Sequence, residues 1–128
     1  MSLNYVTLGS NDLIRARVFY DAILPMIGGR IVANYMPNAF CFELRGGGRI
    51  WVVTPFNEQT AAPGNGNMVG FLCESPEEVQ KVHEMALSQG AQNEGSPGPR
   101  PLYGPDFFGA YARDLDGNKM SFVYFDTP

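Results

Sequence analysis

The chain has 128 residues, of which 45% are hydrophobic and 17% charged, a composition that indicates one globular domain rather than a disordered segment. Its formal net charge of −4 argues against a nucleic-acid partner, which needs a basic surface, and is compatible with a neutral or cationic small ligand. The sequence has no apolar run of membrane-spanning length and no secretory signal, so we predict a cytoplasmic protein with no membrane partner. The two cysteines, Cys41 and Cys73, are then expected to be buried reduced thiols.

The first half of the chain predicts the element order β-α-β-β-β. Residues 3–9 alternate in the manner of a strand, and residues 10–12 then supply helix-capping side chains. An apolar period of helical spacing continues to about residue 27, where Pro25 should disturb the last turn before glycines end the helix. Three further strands are predicted over residues 30–36, 39–45 and 49–54.

The second half repeats this order after a linker over residues 57–66 that is rich in proline and glycine. A strand over residues 67–74 precedes a helix with Ser75 as its N-cap and Glu78 as the partner in a capping box. The buried stripe of this helix is predicted to contain Val79, Val82, His83 and Ala86. The remaining predicted segments are a short strand over residues 91–94, a loop over 95–105, and strands over 107–113 and 119–125.

Residues 1–56 (module one) and residues 67–128 (module two) are therefore interpreted as two βαβββ modules of a single domain over residues 1–128, of the α+β class. The helix of each module can cover only one face of its sheet. We expect the helices on the outer faces, and we expect the two mixed sheets to curl together and form a cup-shaped cavity.

Three segments of the chain carry a resemblance to a known family. They read VTLGSNDLIRARVFYDAIL at residues 6–24, NMVGFLCESPEEVQKVHEMALSQGA at residues 67–91 and FFGAYARDLDGNKMSFV at residues 107–123. Together they cover about half of the chain and resemble the vicinal oxygen chelate superfamily, which contains glyoxalase I, the bleomycin resistance proteins and the extradiol dioxygenases. The resemblance implies the fold predicted above, a small-molecule ligand or substrate, and pairing as a homodimer.

The resemblance also implies where a metal would be held. Members that bind a divalent metal place histidine or glutamate at inward-facing strand positions of both modules. The corresponding residues of this chain are Tyr5, Trp51, Met68 and Ser121. None of these is a usual ligand for Zn²⁺, Ni²⁺, Mn²⁺ or Fe²⁺, so we expect no metal cofactor.

The other ionisable residues have structural interpretations. His83, the only histidine, is predicted to be a packed and hydrogen-bonded helix residue. Glu43 is expected at an edge or facing outward, and Asp114 and Asp116 are expected to make hydrogen bonds within a turn. Arg100 is expected to be a solvated loop residue, with contact to an anionic group as the alternative.

Alternation places aromatic, thioether and hydroxyl side chains on the faces that point into the cup. Such a lining suits a flat or amphipathic organic ligand and is also compatible with a filled core, although Gly70 leaves room at the centre. The loop over residues 96–108 is predicted to be a flap over the cavity or a subunit contact. The candidate ligand-binding residues are Tyr5, Thr7, Trp51, Met68, Tyr103, Phe108, Tyr111 and Ser121.

We therefore predict a homodimer that binds a small organic ligand in an aromatic pocket without a metal, as the bleomycin-binding branch of the superfamily does. One alternative is an enzyme, either a glyoxalase-type lyase or isomerase or a dioxygenase. It would need a Zn, Ni, Mn or Fe site drawn from residues such as Glu43 or Tyr111, or Tyr5 as a general acid. The other alternative is an interaction domain whose cavity is filled.

Overall fold

The computed structural model describes residues 3–125, so the ends of the predicted domain, residues 1–2 and 126–128, lie outside it. Module one contains the strands β1 (Tyr5–Gly9), β2 (Arg30–Tyr35), β3 (Ala39–Glu43) and β4 (Arg49–Val53) and the helix α1 (Leu13–Ile23). Module two contains the strands β5 (Val69–Leu72), β6 (Gln92–Pro99), β7 (Phe108–Arg113) and β8 (Lys119–Tyr124) and the helix α2 (Pro76–Ser88). Short 3-10 helices lie at Leu24–Ile27 and Pro101–Tyr103. Within residues 3–125, no helix has the length and apolar character needed to cross a bilayer.

Each module forms one four-stranded mixed sheet, with the strand orders β1-β4-β3-β2 and β5-β8-β7-β6. The first strand of each module pairs in parallel with the last, and the other neighbours are antiparallel. The register sets Thr7 beside Trp51 in module one and Gly70 beside Ser121 in module two, as the predicted alternation requires. The α+β fold of two βαβββ modules is confirmed.

The hydrophobic core runs through both modules and lies on the helix side of the two sheets. Among its largest buried side chains are Phe19, Tyr20, Phe40, Phe42, Phe71 and Phe122. Burial of each such ring contributes roughly 1.5–3 kcal/mol. On the opposite faces of the sheets, Tyr5, Tyr35 and Leu72 are 55%, 64% and 53% exposed. Each sheet therefore has one buried face and one open face.

Both helices begin at a capping side chain that the sequence identifies. The Asp12 carboxylate accepts a hydrogen bond from the Arg15 amide (3.1 Å), and the Ser75 hydroxyl accepts one from the Glu78 amide (3.1 Å). The predicted capping box is wrong in one detail, because the Glu78 carboxylate accepts from the Glu74 amide (3.1 Å) instead of from the amide of the N-cap itself.

Pro25 ends α1 early, as predicted. A proline removes a backbone donor and clashes with the preceding turn, so the chain continues after Ile23 as the tighter 3-10 helix. Gly28 then adopts a left-handed conformation (φ 85°), where a Cβ atom would also approach Arg45 Nε to 2.8 Å. This turn leads directly into β2.

The loop predicted over residues 95–105 is wrong in its first half, because β6 continues to Pro99 and pairs with β7. β6 is the edge strand of its sheet, so its prolines lack an amide hydrogen without breaking an internal ladder. Register shifts between Asn93 and Gly95 and between Gly95 and Gly98 absorb the irregular spacing. Proline and glycine content alone therefore gave the wrong assignment here.

A buried carboxylate joins the two modules. Asp114, in the turn between β7 and β8, is 6% exposed and accepts a hydrogen bond from the Tyr20 hydroxyl of α1 (2.6 Å). It also accepts from the amides of Asp116 and Asn118 (both 2.9 Å), which confirms its predicted role in the turn. The Asn118 side chain donates to Asp114 (3.0 Å) and to the Gly9 carbonyl (3.1 Å), so the turn is attached to module one at a second point.

The corresponding turn of module one makes a reciprocal connection. Arg45, between β3 and β4, forms ion pairs with Glu78 (2.9 Å) and Glu74 (3.3 Å) at the start of α2. Across the molecule, the Asp116 carboxylate accepts a hydrogen bond from the Asn11 amide just before α1 (2.9 Å). The last hairpin turn of each module thus contacts the start of the other module's helix, which sets the positions of the two sheets.

The cysteines and the histidine lie where the sequence predicts. Cys41 and Cys73 are buried and free, and burial raises the pKa of the Cys73 thiol to about 12. His83 is 3% exposed in the buried stripe of α2, and its Nε2 forms a hydrogen bond with the Tyr111 carbonyl of β7 (3.1 Å). Both interpretations, buried thiols and a packed histidine, are confirmed.

We expect both thiols to be unreactive toward dithionitrobenzoate in the folded protein, because burial keeps them protonated and away from the reagent. In denaturant the same protein should react with two equivalents. Fast reaction of either thiol without denaturant, followed by absorbance, would contradict its burial.

The substitution Tyr20→Phe tests the contact between the modules. It removes one donor from Asp114 and should lower the free energy of unfolding by about 1–2 kcal/mol at neutral pH, measured by urea denaturation. Tyr5→Phe, at an exposed tyrosine, is the matched control and should have little effect. Equal stability of the two variants at neutral pH would show that the Tyr20 hydroxyl does not hold the modules together.

The same pair of variants predicts a pH dependence. Burial, followed by the negative charge of Asp114, raises the pKa of Tyr20 well above its ordinary value of 10.0. Above pH 10.0 the unfolded chain loses the Tyr20 proton while the folded protein keeps it. The contribution of this pKa difference to the free energy of unfolding is therefore complete below pH 10.0 and falls as the pH rises. The Tyr5→Phe variant keeps Tyr20 and therefore this pH dependence of stability, whereas Tyr20→Phe lacks it. The difference in the free energy of unfolding between the two variants should therefore narrow at alkaline pH.

Candidate functional site

The open face of module two contains a cavity of about 710 Å³. Its lining comes from β6, β7, β8 and the segments before β5 and β7: Met68, Glu94, Gly95, Arg100, Tyr103, Phe107, Tyr111 and Lys119. Aromatic and apolar side chains with a few charged groups are the usual lining of small-molecule sites. The shape and chemistry of this face therefore make it the candidate functional site.

Residues 100–107 form an aromatic wall of the cavity. The Arg100 amide donates to the Phe107 carbonyl (3.0 Å) and the Tyr103 amide donates to the Arg100 carbonyl (2.9 Å), which closes the segment into a compact loop. The Tyr103 and Phe107 rings meet edge to face with centroids 5.4 Å apart, and Phe107 also stacks on Phe125 at 5.9 Å. The loop thus holds two aromatic rings at the cavity.

Several contacts hold the ring of Tyr111 in the cavity wall. Gly95 is its partner in the sheet, and a Cβ atom there would approach Tyr111 Cδ2 to 2.9 Å, so the absent side chain makes room for the ring. The Arg100 guanidinium carbon and the Lys119 ammonium lie 5.6 Å and 5.8 Å from the ring centroid, within cation–π range. On the helix side of the sheet, His83 bonds to the Tyr111 carbonyl.

Three predicted ligand-binding residues, Met68, Tyr103 and Tyr111, line this cavity. A fourth, Thr7, lines an adjoining cavity of about 250 Å³ between β1 and β5, together with Met68 and Lys119. The structure therefore brings residues of both modules to one region. Their role in binding a ligand stays a prediction.

Three other predicted residues do not line these two cavities. Trp51 stacks on Tyr35 on the open face of module one, with centroids 6.1 Å apart and planes 3° apart. Ser121 is only 3% exposed, and a Cβ atom at the neighbouring Gly70 would lie 3.1 Å from its Oγ. Tyr5 is exposed on β1. Alternation thus places Trp51 and Tyr5 on the open face of module one and leaves the position of a cavity undetermined.

The prediction for Phe108 does not agree with its position. Phe108 packs against the hydrophobic core, and its neighbour Phe107 lines the cavity instead. Ala110 and Ala112 are fully buried on the same strand, so positions 108, 110 and 112 share the face that packs on α2. Phe108 and Tyr111 are an odd number of residues apart on one strand and so point to opposite faces, which was the available signal.

Sequence reasoning also missed Lys119 and Glu94. Lys119 precedes Ser121 by two residues and so shares its face of β8, which alternation could have revealed. Glu94 had no such signal, because its place in the cavity depends on the bulged pairing of β6 with β7.

The residues at the expected metal positions do not fit a divalent metal. They provide phenol, indole, thioether and hydroxyl groups, from Tyr5, Trp51, Met68 and Ser121. Within residues 3–125 no group of three histidine, cysteine, aspartate or glutamate side chains is arranged to hold a metal ion. Glu43, the alternative donor, is the last residue of β3 and forms ion pairs with Arg30 (2.6 Å) and Arg49 (3.6 Å). Function without a metal stays a prediction.

Comparison with solved structures identifies similar proteins. One is a glyoxalase/bleomycin resistance protein from Albidiferax ferrireducens T118, with 34% identity, a TM-score of 0.84 and coverage of 97% of this chain and 98% of that chain. A second is a glyoxalase-related enzyme from Fulvimarina pelagi, with 21% identity, a TM-score of 0.77 and coverage of 97% and 88%. A third is a glyoxalase/bleomycin resistance protein/dioxygenase family enzyme from Burkholderia phytofirmans PsJN, with 17% identity, a TM-score of 0.74 and coverage of 98% and 99%.

At their lower identities, the second and third of these structures show a shared fold alone. A search of the curated proteins found no match. The family model described as the Glyoxalase/Bleomycin resistance protein/Dioxygenase superfamily matches residues 2–122. The chain therefore belongs to the glyoxalase/bleomycin resistance protein/dioxygenase superfamily.

Proposed function

We propose that this protein binds a small organic ligand with a flat apolar part in the cavity of module two, without a divalent metal. The supporting observation is the cavity of about 710 Å³ itself, since ligand sites commonly measure roughly 300–1,000 Å³. The rings of Tyr103, Phe107 and Tyr111 offer apolar surface, and the two phenol groups can orient a ligand by hydrogen bonds.

An enzyme of the glyoxalase type (a lyase or isomerase) or the dioxygenase type is the alternative, and membership of a superfamily named for glyoxalases and dioxygenases favours it. Such an enzyme would need metal ligands or an acid–base group in the site. Glu43 is held by two arginines and Tyr5 is exposed on a strand outside the cavity, so neither is well placed for that role. An interaction domain with a filled cavity is less well supported, because the cavity of module two is open.

We further propose that the protein is a homodimer, and we keep the expectation that it is cytoplasmic. The open sheet faces carry exposed Tyr5, Tyr35 and Leu72, and large apolar side chains on an exposed sheet face are compatible with a contact between copies. A second copy that covers part of these faces would remove that surface from water.

Removing the Tyr111 ring tests the proposed location of the ligand. A thermal-shift screen of organic compounds should yield ligands, and Tyr111→Ala should weaken the best of them by at least about tenfold, because it removes the central aromatic contact. Trp51→Ala is the matched control on the open face of module one and should leave the affinity nearly unchanged. If Trp51→Ala weakens binding and Tyr111→Ala does not, the ligand lies on module one and the proposed location is wrong.

Metal retention tests the second part of the proposal. Tag-free protein incubated with Zn²⁺, Ni²⁺, Mn²⁺ or Fe²⁺ and then desalted should keep far less than one metal per chain by plasma mass spectrometry, because the expected positions lack metal ligands. A matched sample washed with a chelator gives the background. Retention of one metal near stoichiometry would instead favour the enzymatic alternative.

A further inference from the structure

The wall of the module-two cavity is positively charged, although the chain as a whole is acidic. Three cationic side chains, Arg100, Arg113 and Lys119, line it or a neighbouring cavity of about 560 Å³, against the single carboxylate of Glu94. That carboxylate is already paired, because Arg113 Nε lies 2.8 Å from Glu94 Oε1. The local excess of positive charge therefore rests on Arg100 and Lys119.

These two cations are held differently. The Arg100 guanidinium donates to the carbonyl oxygens of Ser96 (2.8 Å), Gly98 (2.9 Å) and Pro99 (3.2 Å), so its charge is fixed in place beside Tyr111. Carbonyl oxygens satisfy its N–H groups and leave its charge uncompensated. Arg100 thus contributes a fixed positive potential, in contrast to the solvated role expected from the sequence.

Lys119 is the cation that is available to a ligand. No carboxylate within residues 3–125 forms an ion pair with its ammonium group, which has the Tyr111 ring as its neighbour at 5.8 Å. Its side chain is half-buried, so part of its hydration is already removed. An ammonium group in this setting gains more from an anionic partner than one on the open surface does.

Lys119 and Met68 also stand where three cavities meet. Both residues line the 710 Å³ cavity, a neighbouring cavity of about 560 Å³ and the 250 Å³ cavity between β1 and β5. A ligand that enters any of these cavities therefore meets the Lys119 side chain. The aromatic wall of Tyr103, Phe107 and Tyr111 lies on one side of it only.

We propose that the ligand is a small organic anion, a carboxylate on a flat or aromatic body, with the carboxylate at Lys119 and the body against Tyr111 and Phe107. This proposal rests on the proposed function and specifies its ligand class. It replaces the neutral or cationic ligand that the net charge of −4 suggests, because a ligand responds to the charges around its cavity more than to distant ones.

Three matched probes test this proposal: naphthoate, naphthamide and naphthylmethylammonium, all substituted at the same ring carbon. Calorimetry on the full chain should rank naphthoate tightest, about tenfold above the neutral amide, with the cation weakest. Lys119→Met keeps the side-chain length and removes the charge, so it should abolish the preference for naphthoate over naphthamide. Lys81→Met, at the other lysine of the chain and exposed on α2, makes the same change in net charge and should keep the preference.

The outcomes separate the two proposals. Equal binding of naphthoate and naphthamide, or an unchanged preference for naphthoate in folded Lys119→Met, overturns the proposal of an anionic ligand. The proposed aromatic site is still supported in that case if Tyr111→Ala weakens binding of naphthamide. If Lys81→Met also loses the preference for naphthoate over naphthamide, that preference depends on the net charge of the protein, and the proposed role of Lys119 is wrong. If none of the probes binds, or if Tyr111→Ala leaves amide binding unchanged, the proposed function itself fails. Circular dichroism establishes that each variant is folded.

Discussion

The Asp114 carboxylate is the contact on which the arrangement of the two modules depends. It accepts hydrogen bonds from the Tyr20 hydroxyl, from the amides of Asp116 and Asn118 and from the Asn118 side chain. A buried carboxylate is costly unless such donors surround it, so the turn and α1 must both be in place for the charge to be tolerated. This requirement couples the folding of module two to that of module one.

The same arrangement leaves one face of each sheet open. The helices α1 and α2 pack on one face of each sheet and share a single hydrophobic core. The opposite, open faces contribute little to that core, so they can carry polar and charged side chains at a small cost in stability. Module one uses its open face for the stacked Tyr35 and Trp51, whereas module two places Tyr111 and Lys119 beside a cavity. The asymmetry between the two modules is what makes module two the better candidate for ligand binding.

The sequence predicts those features that depend on local chemistry. The cap at Ser75, the break at Pro25 and the alternation that sets Gly70 beside Ser121 depend on neighbouring residues, and the structure confirms them. The length of β6 was not predictable in this way, because its pairing with β7 is tertiary and overrides the local preference of proline and glycine for loops. The position of Lys119 beside Tyr111 likewise depends on the register of β7 and β8, which no single segment encodes.

Amide chemical-shift mapping by NMR, in which labelled protein is titrated with naphthoate, locates the binding site directly. The shifted amides should cluster around the module-two cavity, at Gly95, Tyr111 and Lys119, with little change around Tyr35 and Trp51. Shifts centred on Tyr35 and Trp51, or no saturable shifts at all, would contradict the claim that this cavity is the functional site.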